Sequence, residues 1–314
     1  MLGATPGVEV VVDGQREEST TRGLKELWDE HQIMRQLTEK AVGWIGQKSE
    51  KPFMVYFAAN AVHRPISPNP NFRTSPYGEY GDFVEELDWS VGRLLDAIDR
   101  AGKAEDTLVI FTSDNGGVVN ERFEDEISIA RDKGLNVNGS LRGGKHDIWE
   151  GGFREPFIVR WPGKVPAGSV SDQMICLTDV VATVANILGV KLPPGQAEDS
   201  FDVSGAFFGD PERPVRDHLI LQDADAIYAI RMGHWKLIER VDAPPYEHRN
   251  QRKANQAKKN AKEAPKQDEL YNLRDDPAET SDVYTAHPEL AAKMKELLRQ
   301  SRDQGHTRPG IVAR

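Results

Sequence analysis

Apolar positions along the first two thirds of the chain recur at two alternating periods. Leu27, Met34, Leu37, Ala41 and Trp44 are separated by threes, fours and sevens, the stripe of an amphipathic helix. The unbroken run Phe53-Met54-Val55-Tyr56-Phe57-Ala58 follows. In a second cycle Phe83, Leu87, Val91, Leu94 and Ile98 predict a helix closed by Ala101-Gly102, which leads into Leu108-Val109-Ile110-Phe111. In a third, Pro156-Phe157-Ile158-Val159-Arg160 precedes a helix through Val180, Val184, Ile187 and Leu188, stopped at Gly189. Short β-branched and aromatic runs without polar alternation fit strands buried on both faces. The alternation therefore predicts an α/β fold over residues 1–212, a mainly parallel sheet flanked by helices.

From about residue 213 the texture changes. Residues 218–221, 226–231, 234–238 and 269–273 read as short strands and 288–300 as a closing helix, which predicts a small C-terminal antiparallel α+β subdomain over 213–314. Residues 243–268, rich in Lys, Ala and Asn with almost no large apolar side chain, predict a charged loop.

Composition narrows the partners. With 38% hydrophobic and 8% aromatic residues, 314 residues can fill a sizeable core, and the length suits about two domains. The excess of 50 acidic over 40 basic residues, a net charge of −10, argues against general attraction to nucleic acid or an anionic membrane. Any bound anion must be met by a local cluster. The lysines within 243–268 have no interleaved aromatics and read as a solvated loop. The single cysteine, Cys176, excludes an intrachain disulfide and is expected to be a buried structural thiol. No apolar run reaches membrane-spanning length, and Met1-Leu2-Gly3-Ala4-Thr5-Pro6 lacks the basic and apolar segments of a secretory signal.

Three segments carry chemistry. The strand run Thr107-Leu108-Val109-Ile110-Phe111-Thr112-Ser113 ends abruptly at Asp114-Asn115-Gly116-Gly117. Open α/β sheets bind ligands beyond the carboxyl ends of their strands, and carboxylate and amide oxygens suit a hard cation. By itself the segment also reads as an ordinary turn. Asn60-Ala61-Val62-His63-Arg64-Pro65 follows another predicted strand and puts His63 at the same kind of edge; on the residues alone His63 also reads as an ordinary loop histidine. Finally, Leu141-Arg142-Gly143-Gly144-Lys145 and Glu150-Gly151-Gly152 set two glycine pairs about a lysine. Such a backbone can bend around a bound group while Lys145 supplies a compact positive charge for a tetrahedral oxyanion.

In this order and spacing, the Asp-Asn-Gly-Gly strand end, His63-Arg64-Pro65, and Leu-Arg-Gly-Gly-Lys followed by Glu-Gly-Gly-Phe-Arg-Glu-Pro-Phe resemble the sulfatase family. Arg231-Met232-Gly233-His234-Trp235-Lys236-Leu237-Ile238, then Glu269-Leu270-Tyr271-Asn272-Leu273 with Asp276-Pro277 and Glu279, is similar to its small terminal subdomain. The resemblance implies an alkaline-phosphatase-like α/β fold that hydrolyses sulfate esters of small molecules or glycans. Carried over by motif, it implies Asp114 and Asn115 as two ligands of a divalent cation, usually Ca²⁺ with Mg²⁺ as the alternative. Lys145 would bind the sulfate oxygens, and His63 would contact sulfate and protonate the departing oxygen. Charge accumulates on those oxygens during cleavage, so a cation, an ammonium and an acid aimed there lower the barrier. An imidazole is apt as the acid because its unperturbed pKa, about 6.5, lies near working pH. Periplasmic or secreted localisation is implied by the family alone.

One departure from the family pattern is large. The Cys/Ser-x-Pro/Ala-x-Arg motif whose first residue becomes formylglycine, the family's nucleophile, does not occur. Nor do its early Asp-Asp pair and its Gly-Lys-Trp-His segment. The match is to the C-terminal portion of a sulfatase. The expectation is a partial catalytic domain, inactive by itself, whose partner is a missing N-terminal portion of the same protein. Two other classes remain open. A phosphoester hydrolase of the same superfamily would carry Asp-His-Gly where this chain has Asp114-Asn115-Gly116, and a non-catalytic relative would bind an anion or glycan.

Overall fold

A computed structural model describes residues 29–47, 51–119, 125–209, 214–223, 226–240 and 267–308. It also describes the backbone of an antiparallel hairpin, β1 (Glu9–Val12) with β2 (Gln15–Glu18). The charged loop expected at 243–268 lies outside the described residues except for its last two positions. Contacts divide the chain into two compact units, Met1–Thr107 with Glu121–Leu135, and Leu108–Asn120 with Asn136–Arg314.

In the first unit α1 (Ile33–Ile45) packs against α2 (Glu79–Arg100), and α2 against α3 (Glu126–Asp132). The buried line of α1 is narrower than its apolar spacing predicts: Met34, Thr38 and Ile45 are buried, whereas Leu37 and Trp44 stay exposed. On α2 the buried face runs through Phe83, Glu86, Ser90 and Ala97, so two of its inward positions are polar. Ser90 is satisfied locally. Thr38 hydrogen-bonds to the Ser90 hydroxyl at 2.9 Å and Ser90 donates to the Glu86 carbonyl at 2.9 Å.

The Glu86 carboxylate is fully buried and accepts the Asn69 N–H at 2.8 Å. Burial raises its pKa, against the lowering effects of that hydrogen bond and of His31 and Arg35. A carboxyl whose pKa is higher folded than unfolded binds more protons when folded, so its contribution to stability is present below the unfolded value and is lost as pH rises through the folded one. Urea midpoints measured from acid toward neutral pH should therefore fall less steeply in Glu86→Gln than in the unaltered chain. Equal slopes would remove Glu86 as a source of the pH dependence.

The run Phe53-Met54-Val55-Tyr56-Phe57-Ala58 is not a strand, contrary to its composition. Phe53 and Phe57 are half-buried, while Met54 and Tyr56 are 79% and 86% exposed. β-propensity records fit to a pleated surface, and this segment has no ladder partner among the described residues. The Phe53 ring is held by an edge contact to Trp44 at 5.5 Å and by Lys103 at 5.0 Å.

In the second unit the strand leading to Asp114 forms as β3 (Val109–Thr112) and pairs with β4 (Phe157–Arg160). The pairing is antiparallel, with Val109 opposite Arg160 and Thr112 opposite Phe157; no parallel pair is found among the described residues. β3 is half-buried rather than covered on both faces, because this is a two-stranded sheet. Next comes α5 (Asp179–Ile187), numbered after the short α4 (Glu150–Phe153), and then α6 (Ser204–Phe208). The Asp179 carboxylate is buried, accepts N–H groups of Cys176 and Phe201 at 2.7 and 3.0 Å, and pairs with buried Arg216. Cys176 itself is half-buried, less enclosed than its apolar neighbours suggest.

The predicted C-terminal α+β element forms as read. β5 (Leu219–Gln222), β6 (Tyr228–Met232), β7 (Trp235–Glu239) and β8 (Glu269–Asn272) make one antiparallel sheet in that order. It is packed by α7 (Pro288–Gln304), which starts at a proline and stops at Gly305 with φ +73°, the usual asymmetry of helix ends. Strand alternation assigns the faces. Ile230, Leu237 and Leu270 meet Met294 and Leu298 of α7, whereas Ala229, Ile238 and Tyr271 cover Ile148, Trp149 and Phe153. The second face of this sheet is thus spent on the segment just after Lys145.

Candidate active site

The Asp114 strand end and the Lys145 loop form one backbone knot within the second unit. Gly116 N–H donates to the Gly152 carbonyl at 3.2 Å, and Lys145 N–H to the Gly117 carbonyl at 3.0 Å. The loop closes on itself through Gly151 N–H to the Arg142 carbonyl at 2.8 Å. Asn138 braces the crossing: its Oδ1 accepts Gly117 N–H at 2.8 Å, and its Nδ2 donates to the carbonyls of Gly117 and Gly143 at 3.0 and 2.9 Å.

The glycines are required by this approach of backbone to backbone. A Cβ on Gly116 would land on the Gly151 carbonyl oxygen, with the carbonyl carbon 2.8 Å away and Gly152 Cα 3.1 Å away. Cβ atoms on Gly144, Gly151 and Gly152 would likewise run into backbone carbonyls. Gly143, at φ +73°, makes the turn into the loop, a conformation that costs other residues. The Asp147 carboxylate accepts the Gly144 N–H at 2.9 Å and completes that turn.

Asp114 is exposed and Asn115 and Lys145 are half-buried at this knot. Asn115 Nδ2 donates to the Gly116 carbonyl at 3.0 Å. Glu155, quoted in the motif but given no role by sequence reasoning, stands close enough to Asp114 to feel its charge. Burial first, and that neighbouring carboxylate second, push Glu155 up to about 7. Among the described residues no group of three or more His, Cys, Asp or Glu could hold a metal ion. Oxygens of the right kind are present, but fewer than the six to eight that a Ca²⁺ shell takes.

Sequence reasoning also missed the ionic group beneath the loop. Lys236 of β7 is fully buried, with its Nζ 3.0 Å from Glu150 Oε1 and 2.9 Å from Glu279 Oε1. Arg231 adds a longer contact to Glu150 at 3.6 Å. The available signal was the alternation itself: Lys236 shares a face with Ile238, the face that covers Ile148 and Trp149.

His63 belongs to the other unit. It lies exposed after a turn closed by its own N–H to the Asn60 carbonyl at 3.0 Å. Its Nδ1 is 2.8 Å from the Arg64 carbonyl, and a carbonyl can only accept, so Nδ1 carries the proton and Nε2 is the nitrogen presented outward. The neighbouring Arg64 pairs with Asp125, the residue that caps α3 by accepting Ser128 N–H at 2.8 Å. The turn bearing His63 is thereby anchored to α3. Two of the three candidate segments are joined at one knot, and the third is fixed within its own unit.

The architecture around this knot is that of the alkaline-phosphatase-like α/β enzymes. A solved sulfatase from a glycosaminoglycan-metabolising locus of Bacteroides thetaiotaomicron superposes with a TM-score of 0.76 at 32% identity, over 88% of this chain and 55% of that one. A family model described as Sulfatase matches residues 4–190, and the chain belongs to the sulfatase family. It is 33% identical to the N-acetylgalactosamine-6-O-sulfatase of Bacteroides thetaiotaomicron over 88% of this chain and 52% of that protein. It is 37% identical to the steryl-sulfatase of Mus musculus over 60% of this chain and 29% of that protein. The chain thus spans about half the length of the first of these relatives and less of the second.

Proposed function

We propose that these residues form part of a sulfuric ester hydrolase in which Lys145 binds the sulfate group of a small-molecule or glycan ester and His63 serves as the acid. In this reading Asp114 and Asn115 supply two ligands to a divalent cation, Ca²⁺ or Mg²⁺. The observation that carries the proposal is the backbone knot, since Gly116 and Gly117 bond directly to Gly152 and Lys145. The ammonium-bearing loop and the acid-amide pair therefore share one rigid support. Asn115 in place of histidine favours a sulfate ester over a phosphate ester. The name of the Bacteroides relative, which matches 88% of the chain, favours a sulfated amino sugar over the sterol ester named for a relative that matches 60%.

A bound cation would supply fixed positive charge for the sulfuryl oxygens. Lys145 would hold those oxygens through a compact ammonium. His63, its Nδ1–H held by the Arg64 carbonyl, would have to be the doubly protonated imidazolium to deliver a proton from Nε2 to the departing oxygen. The nucleophile of the family, formylglycine, has no motif in this sequence; turnover requires the portion of the protein that carries it, and this chain alone is expected to be inactive.

With that portion present, an aryl sulfate or a 6-sulfated N-acetylgalactosamine should be hydrolysed, and Lys145→Ala should lower kcat by about 10²-fold or more. Preference for the matching phosphate ester, or an unchanged rate in Lys145→Ala, would overturn the proposal.

A further inference from the structure

Glu279 reaches the loop that carries Lys145 at both of its ends. Its carbonyl oxygen accepts Arg142 Nη1 at 2.8 Å, where the loop begins. Its carboxylate accepts the Glu150 N–H at 2.6 Å, where the loop closes, and sits 2.9 Å from Lys236 Nζ. Glu279 is fully buried and holds a left-handed backbone, φ +52°, a conformation uncommon for residues with a Cβ and kept where surrounding structure enforces it. The enforcing bonds are close by. Glu279 N–H donates to the Asp276 carbonyl at 3.2 Å, and the Asp276 carboxylate accepts the N–H groups of Thr280 and Ser281 at 2.8 Å each. Arg142 is further fixed by Tyr271, whose hydroxyl it meets at 3.1 Å, and by the Trp149 ring, 4.0 Å below its guanidinium.

We propose that Glu279 is a positioning residue for Lys145: from the turn after β8 it clamps the first and last residues of the Arg142–Glu150 loop, so that the C-terminal sheet sets where the ammonium stands. The inference rests on the reading of Lys145 as the sulfate-binding ammonium. It extends that reading by making the C-terminal sheet part of the site's support. Burial drives the Glu279 carboxyl upward while Lys236 and the Glu150 N–H draw it down, the balance of a charge kept inside only because both partners are present.

Amide hydrogen exchange on the full chain tests the clamp. In Glu279→Ala the Lys145 and Gly151 amides should gain about tenfold or more in exchange rate relative to Ile230 and Leu270 in the sheet, whose own exchange reads out any overall loss of stability. Should Glu279→Ala fail to fold, Arg142→Ala releases one end from an exposed position and should speed exchange at Gly151, whose N–H rests on the Arg142 carbonyl, and at Lys145, more than at Ile230 and Leu270. Unchanged loop protection, or equal loosening of loop and sheet, would overturn the proposal. Acylation of Lys145 with and without inorganic sulfate separates the two readings. Shielding by sulfate in the unaltered chain that is lost in Glu279→Ala supports both. Shielding that survives in Glu279→Ala overturns the positioning role. No shielding in the unaltered chain, together with a loosened loop in the variant, leaves the clamp standing and removes the anion reading.

Discussion

Gly116→Ala is expected to cost about 2–4 kcal/mol of stability, at or above the usual range for overpacking, because the atoms in the way cannot yield. The added methyl would lie on the Gly151 carbonyl oxygen and against Gly152 Cα, so relief requires the strand end and the loop to part. Parting breaks the 3.2 Å hydrogen bond from Gly116 to Gly152 and shifts Asp114 and Asn115 relative to Lys145. Displacement of reacting groups by about 1 Å can cost about 10²-fold in rate, so with the nucleophile-bearing portion present turnover should fall beyond what the loss of folded protein explains. Gly117→Ala is the control. Its methyl would meet Val137 Cγ2 and Asn138 Oδ1 at 2.8 and 2.9 Å, side-chain rather than backbone atoms, and its loss should be smaller. Denaturant midpoints of the two variants check the order; a Gly116→Ala chain as stable as the unaltered one would mean that the knot is not tight.

Lys236→Met should be destabilised by about 3–5 kcal/mol, the usual cost of leaving a buried charge without its partner. Glu150 and Glu279, with side chains 3% and 0% exposed, would be left facing each other across an apolar side chain. At roughly 2–4 °C per kcal/mol for a body of this size, the melting temperature should drop by about 10 °C. Protonating the two carboxylates removes their repulsion and desolvation, so the deficit should shrink in acid. The triple variant Lys236→Met/Glu150→Gln/Glu279→Gln should recover part of it, since a neutral buried group can replace an ion pair at little cost. A melting temperature unchanged in Lys236→Met would show that water already reaches the group.

Local pattern and tertiary packing diverge at particular residues. The helices α1, α2 and α5, the C-terminal strands and the proline and glycine limits of α7 follow from spacing alone, because each depends on neighbours a few positions away. Leu37 and Trp44 lie on the predicted stripe of α1 yet remain exposed, since how much of a stripe is covered depends on what packs there. The run at residues 53–58 has strand residues and no ladder, since pairing is made by another segment. β3 pairs antiparallel with β4, and nothing in either run encodes direction.

The same division holds for the candidate site. By itself the sequence determined the chemical types and their order: an acid-amide pair at a strand end, a lysine between glycine pairs, a histidine before Arg-Pro, and through them the sulfatase family. These are read from composition within short windows, where chain connectivity already holds the residues together. Only the tertiary structure decided that Gly116 lies against the backbone of Gly151 and Gly152, and that Lys236, 86 residues beyond Glu150, neutralises two carboxylates beneath the loop. It also decided that Glu279, 137 residues from Arg142, holds the loop at both ends. Steric exclusion and Coulomb attraction act through space, and at such separations the sequence has no means of saying which groups will meet.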